Sequence, residues 1–589
     1  MPTKSADAAV WMIVRKLVLC AAYSVVSVVT ASAQTSGARA IDIADQARTL
    51  AREGKTSEAL DLYRLALRLA PESMTIRRDY AVTLGWAEDY PASIEEFRKV
   101  REQEPDQPAW ALREMARSEL FGDQPGAALA TLNQLIDRSD RSEATLMRKA
   151  LALRWLGRSD EAQEVYREMQ ERYPEAGSGW LGVVYALSDQ GRLGEALRTT
   201  DRALAQDPDN WQALKARGQV LNWMGFHLEA QKAFDAIPPE YASDREVLEG
   251  RAFAARWGGR PNTAQQIIAS LARDFPANRS VAELQHELDL EYGYAATPSV
   301  RMIDHNDGLA DRTYAQDFTL HANPTHRFDF GYQYRRFSQE GDRVLAWRRY
   351  SVNWQGTLGR RTAAYVGVSS VDYLEGGGGL RFFPEAGISH FLSNRVWVSA
   401  STGQLPMDAF RAVGNRVAAN HYSGNVRLRP THKLTVEAQY ARFNFSDQVH
   451  RDRVDLTAFR LLMARRRVRL DVGLRSNFLW HDRETSDFFS PTSFQTHLGS
   501  TRFSGWLSDR LEYSAEVGFG LQREPGVGLQ SPLALSGLMI WRLRPTLHFT
   551  AEAGRSTSSV ERVNPGRPSY SRRFVSVSLK VRVPSLVSR

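Results

Sequence analysis

The sequence predicts an α+β multidomain protein in which an α-helical repeat solenoid precedes a transmembrane antiparallel β-barrel of about sixteen strands. Three observations predict it. In the C-terminal half, apolar and polar residues alternate through one extended run after another, the pattern of a strand with one face in an apolar medium. In the N-terminal half the pattern turns helical, and prolines fall at positions 71, 105, 174, 208 and 276, spaced by 34, 69, 34 and 68 residues. The charge divides at the same place, with 33 basic against 42 acidic residues from Gln34 to Tyr294 and 40 against 25 beyond.

The barrel is expected over 298–589. Phe328, Phe330, Tyr332 and Tyr334 alternate with Asp329, Gly331, Gln333 and Arg335, and Val468 to Leu474 and Leu511 to Leu521 repeat the pattern. Short polar turns are expected near Asn323-Pro324, Gly359-Arg360, Ser393-Asn394, Pro430-Thr431, Arg465-Arg466, Ser508-Asp509 and Arg544-Pro545. Longer loops fall between them, including 375–379, 407–419, 482–493 and 560–570. A soluble sandwich would also alternate, but runs of about ten residues match a tilted bilayer crossing. Trp347, Trp397, Trp480, Trp506 and Trp541 stand near strand ends and are expected at the membrane interface. A mean hydropathy of −0.41 agrees with this, because alternating strands hide their apolar half from a running average.

At the N-terminus, Arg15 and Lys16 precede the apolar run Leu17 to Val29 and the small residues Ala31-Ser32-Ala33, the features of a signal peptide over 1–33. The single cysteine, Cys20, lies within it, so a processed chain would hold no disulfide and no thiolate metal site. No metal or cofactor is expected. The net charge of +8 belongs to the barrel and carries no expectation of nucleic-acid binding.

The solenoid is expected over 34–291, with 292–297 as a linker. Aligning the prolines brings small and aromatic residues into register: Gly54, Ala59, Tyr63, Ala66 and Pro71; Gly157, Ala162, Tyr166 and Pro174; Gly191, Ala196, Ala203 and Pro208; Gly259, Ala264 and Pro276. Glycine breaks the chain between two helices, alanine lets them approach, an aromatic ring fills the gap and proline stops the second helix. These units resemble the tetratricopeptide repeat, about seven of them. Trp86, Trp155, Trp223 and Trp257 occupy one place in their units, the end of the first helix. Two roles fit them: packing between repeats, or platforms on which sugar rings stack.

In order along the chain, these features resemble the outer-membrane exporters of bacterial exopolysaccharide, those of poly-N-acetylglucosamine and cellulose in plan. The Trp-x-Gly turns Trp155-Leu156-Gly157, Trp223-Met224-Gly225 and Trp257-Gly258-Gly259 resemble those of YaiO-like outer-membrane barrels. The resemblance implies a porin that exports a polysaccharide, with a periplasmic solenoid receiving the polymer or the proteins that make or modify it. Its rival is a sealed barrel that anchors a periplasmic scaffold or serves as a surface receptor. A plugged lumen would favour the rival, and an open path from the solenoid would favour export.

Placing the polar side of each strand inward gives the candidate polymer contacts Arg335, Arg349, Arg381, Arg427, Arg429, Arg469, Arg475, Arg582, Glu512 and Glu516. Arginine predominates, so the lumen is expected either to prefer anionic or neutral polymer or to be filled by ion pairs across it. His421 and Ser423 form a His-x-Ser pair of the kind found in outer-membrane phospholipases. They are expected to face inward with no Asn to orient the histidine, and no enzymatic activity is expected.

Overall fold

The computed structural model describes residues 36–276, 278–339, 344–375, 379–465, 467–558 and 570–584. The expected signal peptide, most of the glycine run after Glu375, most of 560–570 and the last five residues lie outside the described residues. The chain divides into two compact units at Asp189 and Gln190.

The first unit is helical: α1 (36–52), α2 (Thr56–Leu69), α3 (Met74–Trp86), α4 (Tyr90–Gln103), α5 (Ala109–Phe121), α6 (Pro125–Asp137), α7 (Glu143–Trp155), α8 (Ser159–Arg172) and α9 (Ser178–Asp189). The helices stack in sequence, α3 on α4, α5 on α6 and α7 on α8. The residues that the repeat pattern placed inside are buried, Ala59, Tyr63 and Ala66 on α2 and Ala162 and Tyr166 on α8, where Met169 joins them. Ser73 and Asp89 start α3 and α4 by accepting from a backbone N–H three residues on, a cap worth about 1 kcal/mol.

The second unit continues the helices and adds the barrel. Its helices are α10 (Leu193–Gln206), α11 (Trp211–Trp223), α12 (His227–Asp235), α13 (Arg245–Trp257), α14 (Pro261–Asp274) and α15 (Arg279–Glu291). With those of the first unit, the described helices number seven A and B pairs followed by a last single helix. That helix ends two residues before the first strand. The expected linker 292–297 is therefore only Tyr292-Gly293, and 294–297 is already strand; Pro298, also inside β1, lies where the ladder to β17 skips it and Thr297, so its missing N–H breaks no rung on that side.

The strands are β1 (Tyr294–His305), β2 (Leu309–Asn323), β3 (His326–Gln339), β4 (Leu345–Thr357), β5 (Thr362–Tyr373), β6 (Leu380–Ser393), β7 (Val396–Pro406) and β8 (Ala418–Thr431). Then follow β9 (Leu434–Phe445), β10 (His450–Arg465), β11 (Val468–His481), β12 (Ser493–Ser508), β13 (Leu511–Glu524), β14 (Gly528–Gln530), β15 (Leu533–Arg544), β16 (Leu547–Ser556) and β17 (Arg572–Val583). Every pairing is antiparallel between neighbours, and β1 pairs with both β2 and β17, which closes the sheet. The three-residue β14 extends the β13 hairpin beyond the point where β13 pairs with β15, so the barrel wall has sixteen strands.

Short turns mark one rim. At six of the seven, the register shifts as the strand arrives, between His321 and Asn323, Phe391 and Ser393, Leu428 and Thr431, Leu461 and Met463, Trp506 and Ser508, and Arg542 and Arg544. Such bulges at a barrel rim bend the strand and re-aim the side chains beside them. The outside of the wall is apolar, with Phe330, Tyr350, Val366, Ile388, Tyr422, Leu474, Phe519 and Met539 exposed, as a wall that faces lipid requires. Among the described residues no helix is long and apolar enough to cross a membrane.

Candidate functional site

The lumen has two chemically distinct ends. At the long-loop rim the segment between β7 and β8 carries a short helix, α16 (Phe410–Gly414). Phe410 and Val413 pack with Leu309, Phe337, Trp347, Tyr373 and Phe383 in one apolar cluster. Its neighbours Met407, Ala409, Ala412 and Val417 pack with Phe445, Val449 and Phe488 in a second. Phe488 comes from the loop after β11, and its ring lies 4.6 Å from that of Phe445. The two loops also bond to each other, Asn415 donating to Asp487 at 2.9 Å. Together they form an apolar plug folded into the loop end of the lumen, packed against β2–β6 on one side and β9 on the other.

Arg335 holds the plug to the wall. It donates to Asp311 at 3.0 Å and to Asp408, at the foot of α16, at 3.3 Å, while its guanidinium lies 4.7 Å from the Phe337 ring centre. Arg381 donates to the backbone carbonyl of Arg416, just past α16. These two candidate lumen residues thus fasten the seal.

Further in, the candidates mostly meet carboxylates. Arg427 pairs with Glu437 at 3.2 Å, Arg469 with Asp471 at 2.6 Å, and Glu516 joins Arg475 at 2.7 Å to Arg502 at 3.0 Å. Glu512 pairs with Arg542 at 3.3 Å. Among the described residues, Arg349, Arg381, Arg429 and Arg582 make no ion pair with a carboxylate at salt-bridge distance. Of these four, Arg429 and Arg582 stand at the short-turn rim. Positive charge is thus paired along much of the wall, and two of the four candidate arginines left without a carboxylate stand at that mouth.

Three of the expected interfacial tryptophans belong inside. Trp347 is buried in the plug, Trp397 carries the Arg427 guanidinium 4.8 Å from its ring centre, and Trp506 carries that of Arg542 at 4.4 Å. Strand alternation decides which way a ring near a strand end points, and it puts these three on the face of the lumen charges. Trp480 and Trp541 do face outward and are exposed.

At the short-turn rim the later repeats meet the barrel. The turn glycines Gly191, Gly225 and Gly259 adopt φ of 71°, 75° and 80°, which excludes most other residues. A Cβ at Gly191 would stand 2.9 Å from the Ala464 carbonyl oxygen, at Gly225 3.0 Å from the Arg429 guanidinium, and at Gly259 2.7 Å from the Arg360 carbonyl oxygen. Each helix turn is thus seated on a hairpin turn. Asn394, in the turn after β6, accepts from the Leu228 N–H at 3.0 Å, and so caps α12, whose own N-cap residue Phe226 has no side chain to do it. Arg395 lies 5.5 Å from the Phe226 ring centre.

Between these parts is a cavity of about 360 Å³. Trp257, His227 and Asn394 line it with Trp397, Arg427 and Arg429. Burial, aided by the charge of Arg429, holds the His227 imidazole down at about 4, so it is neutral near pH 7. A second cavity, of about 350 Å³, lies beside α15 and includes Arg327, Lys580 and Arg582.

The four solenoid tryptophans are all at the ends of A helices and all partly open, with Trp223 half and Trp257 54% exposed. Packing and exposure coexist: Trp155 meets Phe121 of the preceding pair edge-on at 6.0 Å, and the Trp86 indole donates to Glu114 at 3.2 Å. Of the four, Trp257 lines the cavity at the barrel mouth. His421 stacks on Phe443, whereas Ser423 bonds to Ser401 at 2.6 Å.

Several residues of these two ends were not singled out by sequence: Asn394, Arg395 and His227 at one, Asp408, Phe410 and Phe488 at the other. The apolar content of Met407, Ala409, Phe410, Ala412, Val413 and Val417, in a stretch read as an external loop, was the available signal that it folds inward.

Models of the tetratricopeptide repeat match residues 44–108 and 181–244, and a further one matches 144–176. No curated protein matches the chain. Among solved structures it is similar to a bacterial polysaccharide outer membrane secretin, at 11% identity and a TM-score of 0.43 over 50% of this chain and 99% of that one. It is similar too to a tetratricopeptide repeat protein from Parabacteroides merdae, at 13% identity and 0.36 over 42% and 97%. CdiB from Acinetobacter baumannii gives 10% and 0.34 over 49% and 60%. The chain joins a tetratricopeptide-repeat solenoid to a closed sixteen-stranded antiparallel barrel with the architecture of an outer-membrane protein.

Proposed function

We propose that the protein is an outer-membrane conduit for a polysaccharide, its solenoid in the periplasm and its loop end shut at rest by the plug. The observation that carries this reading is the cavity at the short-turn mouth, in which Trp257 of the last repeat and Trp397 and Arg427 of the lumen wall share one space. A polymer held along the solenoid would enter the lumen there, among indole faces and guanidinium groups that bind weakly and repeatedly. The plug is built from connections between strands, so it can leave without breaking a wall pairing. The groove of the repeats would serve proteins that make or modify the polymer, and the outer wall would meet membrane lipid. No catalytic step and no nucleic-acid partner form part of the proposal.

A second reading is a sealed barrel that anchors the repeats as a periplasmic scaffold, and the apolar plug is what favours it. Two strains separate the readings: a gene deletion complemented with the full chain, and one complemented with a chain whose residues 408–416 are replaced by Gly and Ser. Export requires surface polysaccharide to vanish on deletion and return with the full chain. Surface polysaccharide that is unchanged by deletion, under conditions that express the gene, would leave the anchor as the better account.

A further inference from the structure

We infer that the cavity at the short-turn mouth is a binding subsite for an anionic sugar unit, a ring that carries a carboxylate. The inference rests on the export reading and adds the charge of the substrate to it. Three arginines line the cavity, Arg395, Arg427 and Arg429, and no Asp or Glu does. Arg427 shares its charge with Glu437, but among the described residues neither Arg395 nor Arg429 has a carboxylate within salt-bridge distance. Arg429 is only partly exposed and is pressed against the Gly225 turn, its Nη2 reaching the Met224 carbonyl at 3.5 Å. His227 adds no positive charge near pH 7.

A partly desolvated guanidinium without a counter-charge is costly, and an arriving anion repays that cost. The planar fork of arginine matches a carboxylate with two parallel hydrogen bonds. Charge alone would serve any small anion; the indoles select among them. Trp257 is 54% exposed beside the cavity and Trp397 borders it from the lumen wall, so a ring with one apolar face has aromatic surface on both sides of its path. The volume of about 360 Å³ lies within the range of small-molecule sites, roughly 300–1,000 Å³.

The test is titration of the full chain in detergent, followed by tryptophan fluorescence, with trigalacturonate, cellotriose and inorganic phosphate in turn. Trigalacturonate should bind at least about tenfold more tightly than cellotriose, and more weakly as salt rises. Arg395→Gln with Arg429→Gln should remove most of that preference, and Arg429→Lys should restore part of it. Heat-modifiable migration on a gel reports that each variant has folded as a barrel, and Trp397→Phe gives a second, milder probe of the same space. Equal affinity for the two sugars, indifference to the arginine changes, or phosphate that displaces trigalacturonate at matched charge would each overturn the inference. The same double variant is then assayed for surface polysaccharide. Uronate binding in a protein whose deletion leaves surface polysaccharide unchanged would end the export reading and keep the subsite; export with no uronate preference would end the subsite and keep export.

Discussion

At the long-loop rim, Phe410, Val413, Phe488 and Phe445 fold into the lumen with apolar packing, and Arg335, between two aspartates, joins the packing to the wall. At the short-turn rim, contact is made by backbone and polar groups: glycine turns on hairpin turns, an asparagine capping a helix, guanidinium groups over rings. The first end is built like a protein core, from side chains that bury one another. The second is held by separate polar and ring contacts. On the conduit proposal, such a lumen would admit a polar ligand at the second end and hold it behind the first.

The comparison breaks most directly at the plug. Each of Phe410 and Val413 buries a side chain worth about 1.5–3 kcal/mol, and a carboxylate in its place would be strongly disfavoured. Phe410→Asp with Val413→Asp should turn a silent or rarely open protein into a steady conductor in planar bilayers. If the unchanged protein already conducts as freely, the plug is no seal. Next in size is Arg335→Gln, which leaves Asp311 and Asp408 facing each other without their shared cation. Removing one partner of a buried pair costs roughly 3–5 kcal/mol, so brief openings should become frequent, and more so than for Asp408→Asn, whose carboxylate is 44% exposed.

The short-turn rim should respond to acid. His227 is held neutral in the fold, at about 4 against an ordinary 6.5, so below about pH 6.5 the unfolded segment takes up a proton that the folded one refuses. Stability at this junction should therefore fall as the pH drops from 6.5 towards 4. Limited proteolysis at the α11–α12 turn should accelerate over that window, and His227→Gln should flatten the change. The smallest expected effect is that of Asn394→Ala, which removes a cap from α12 and should cost about 1 kcal/mol. Hydrogen exchange at Leu228 and the amides beside it would register it, with the plug unaffected.

The wall of the barrel and the stack of helices were both legible, because each rests on a period: two for the strands, about 34 for the repeats. Ion pairs between residues two apart, Arg469 with Asp471 and Arg453 with Asp455, follow from the same period, since they share a face of one strand, although the pairs expected from sequence ran across the lumen instead. Arg335 with Asp311 was not, because that pair depends on how β2 is registered against β3. The plug escaped because loops have no period, and the inward turn of Trp347, Trp397 and Trp506 escaped because residue type was weighed above alternation. The docking of helix turns on hairpin turns combines two elements far apart in the chain, and only the glycines hinted at it.

One glycine bears on how the molecule comes to be built. Gly293 joins α15 to β1, and a Cβ there would run into the carbonyl oxygens of Val583 and Asp289. Val583 is the partner of Tyr294, the first rung of the seam between the first strand and the last. The seam is thus closed at the very residue where the solenoid leaves off. A side chain at 293 would press on the first rung of that seam, so Gly293→Ala is expected to weaken the closure between β1 and β17 while the other strand pairings stand.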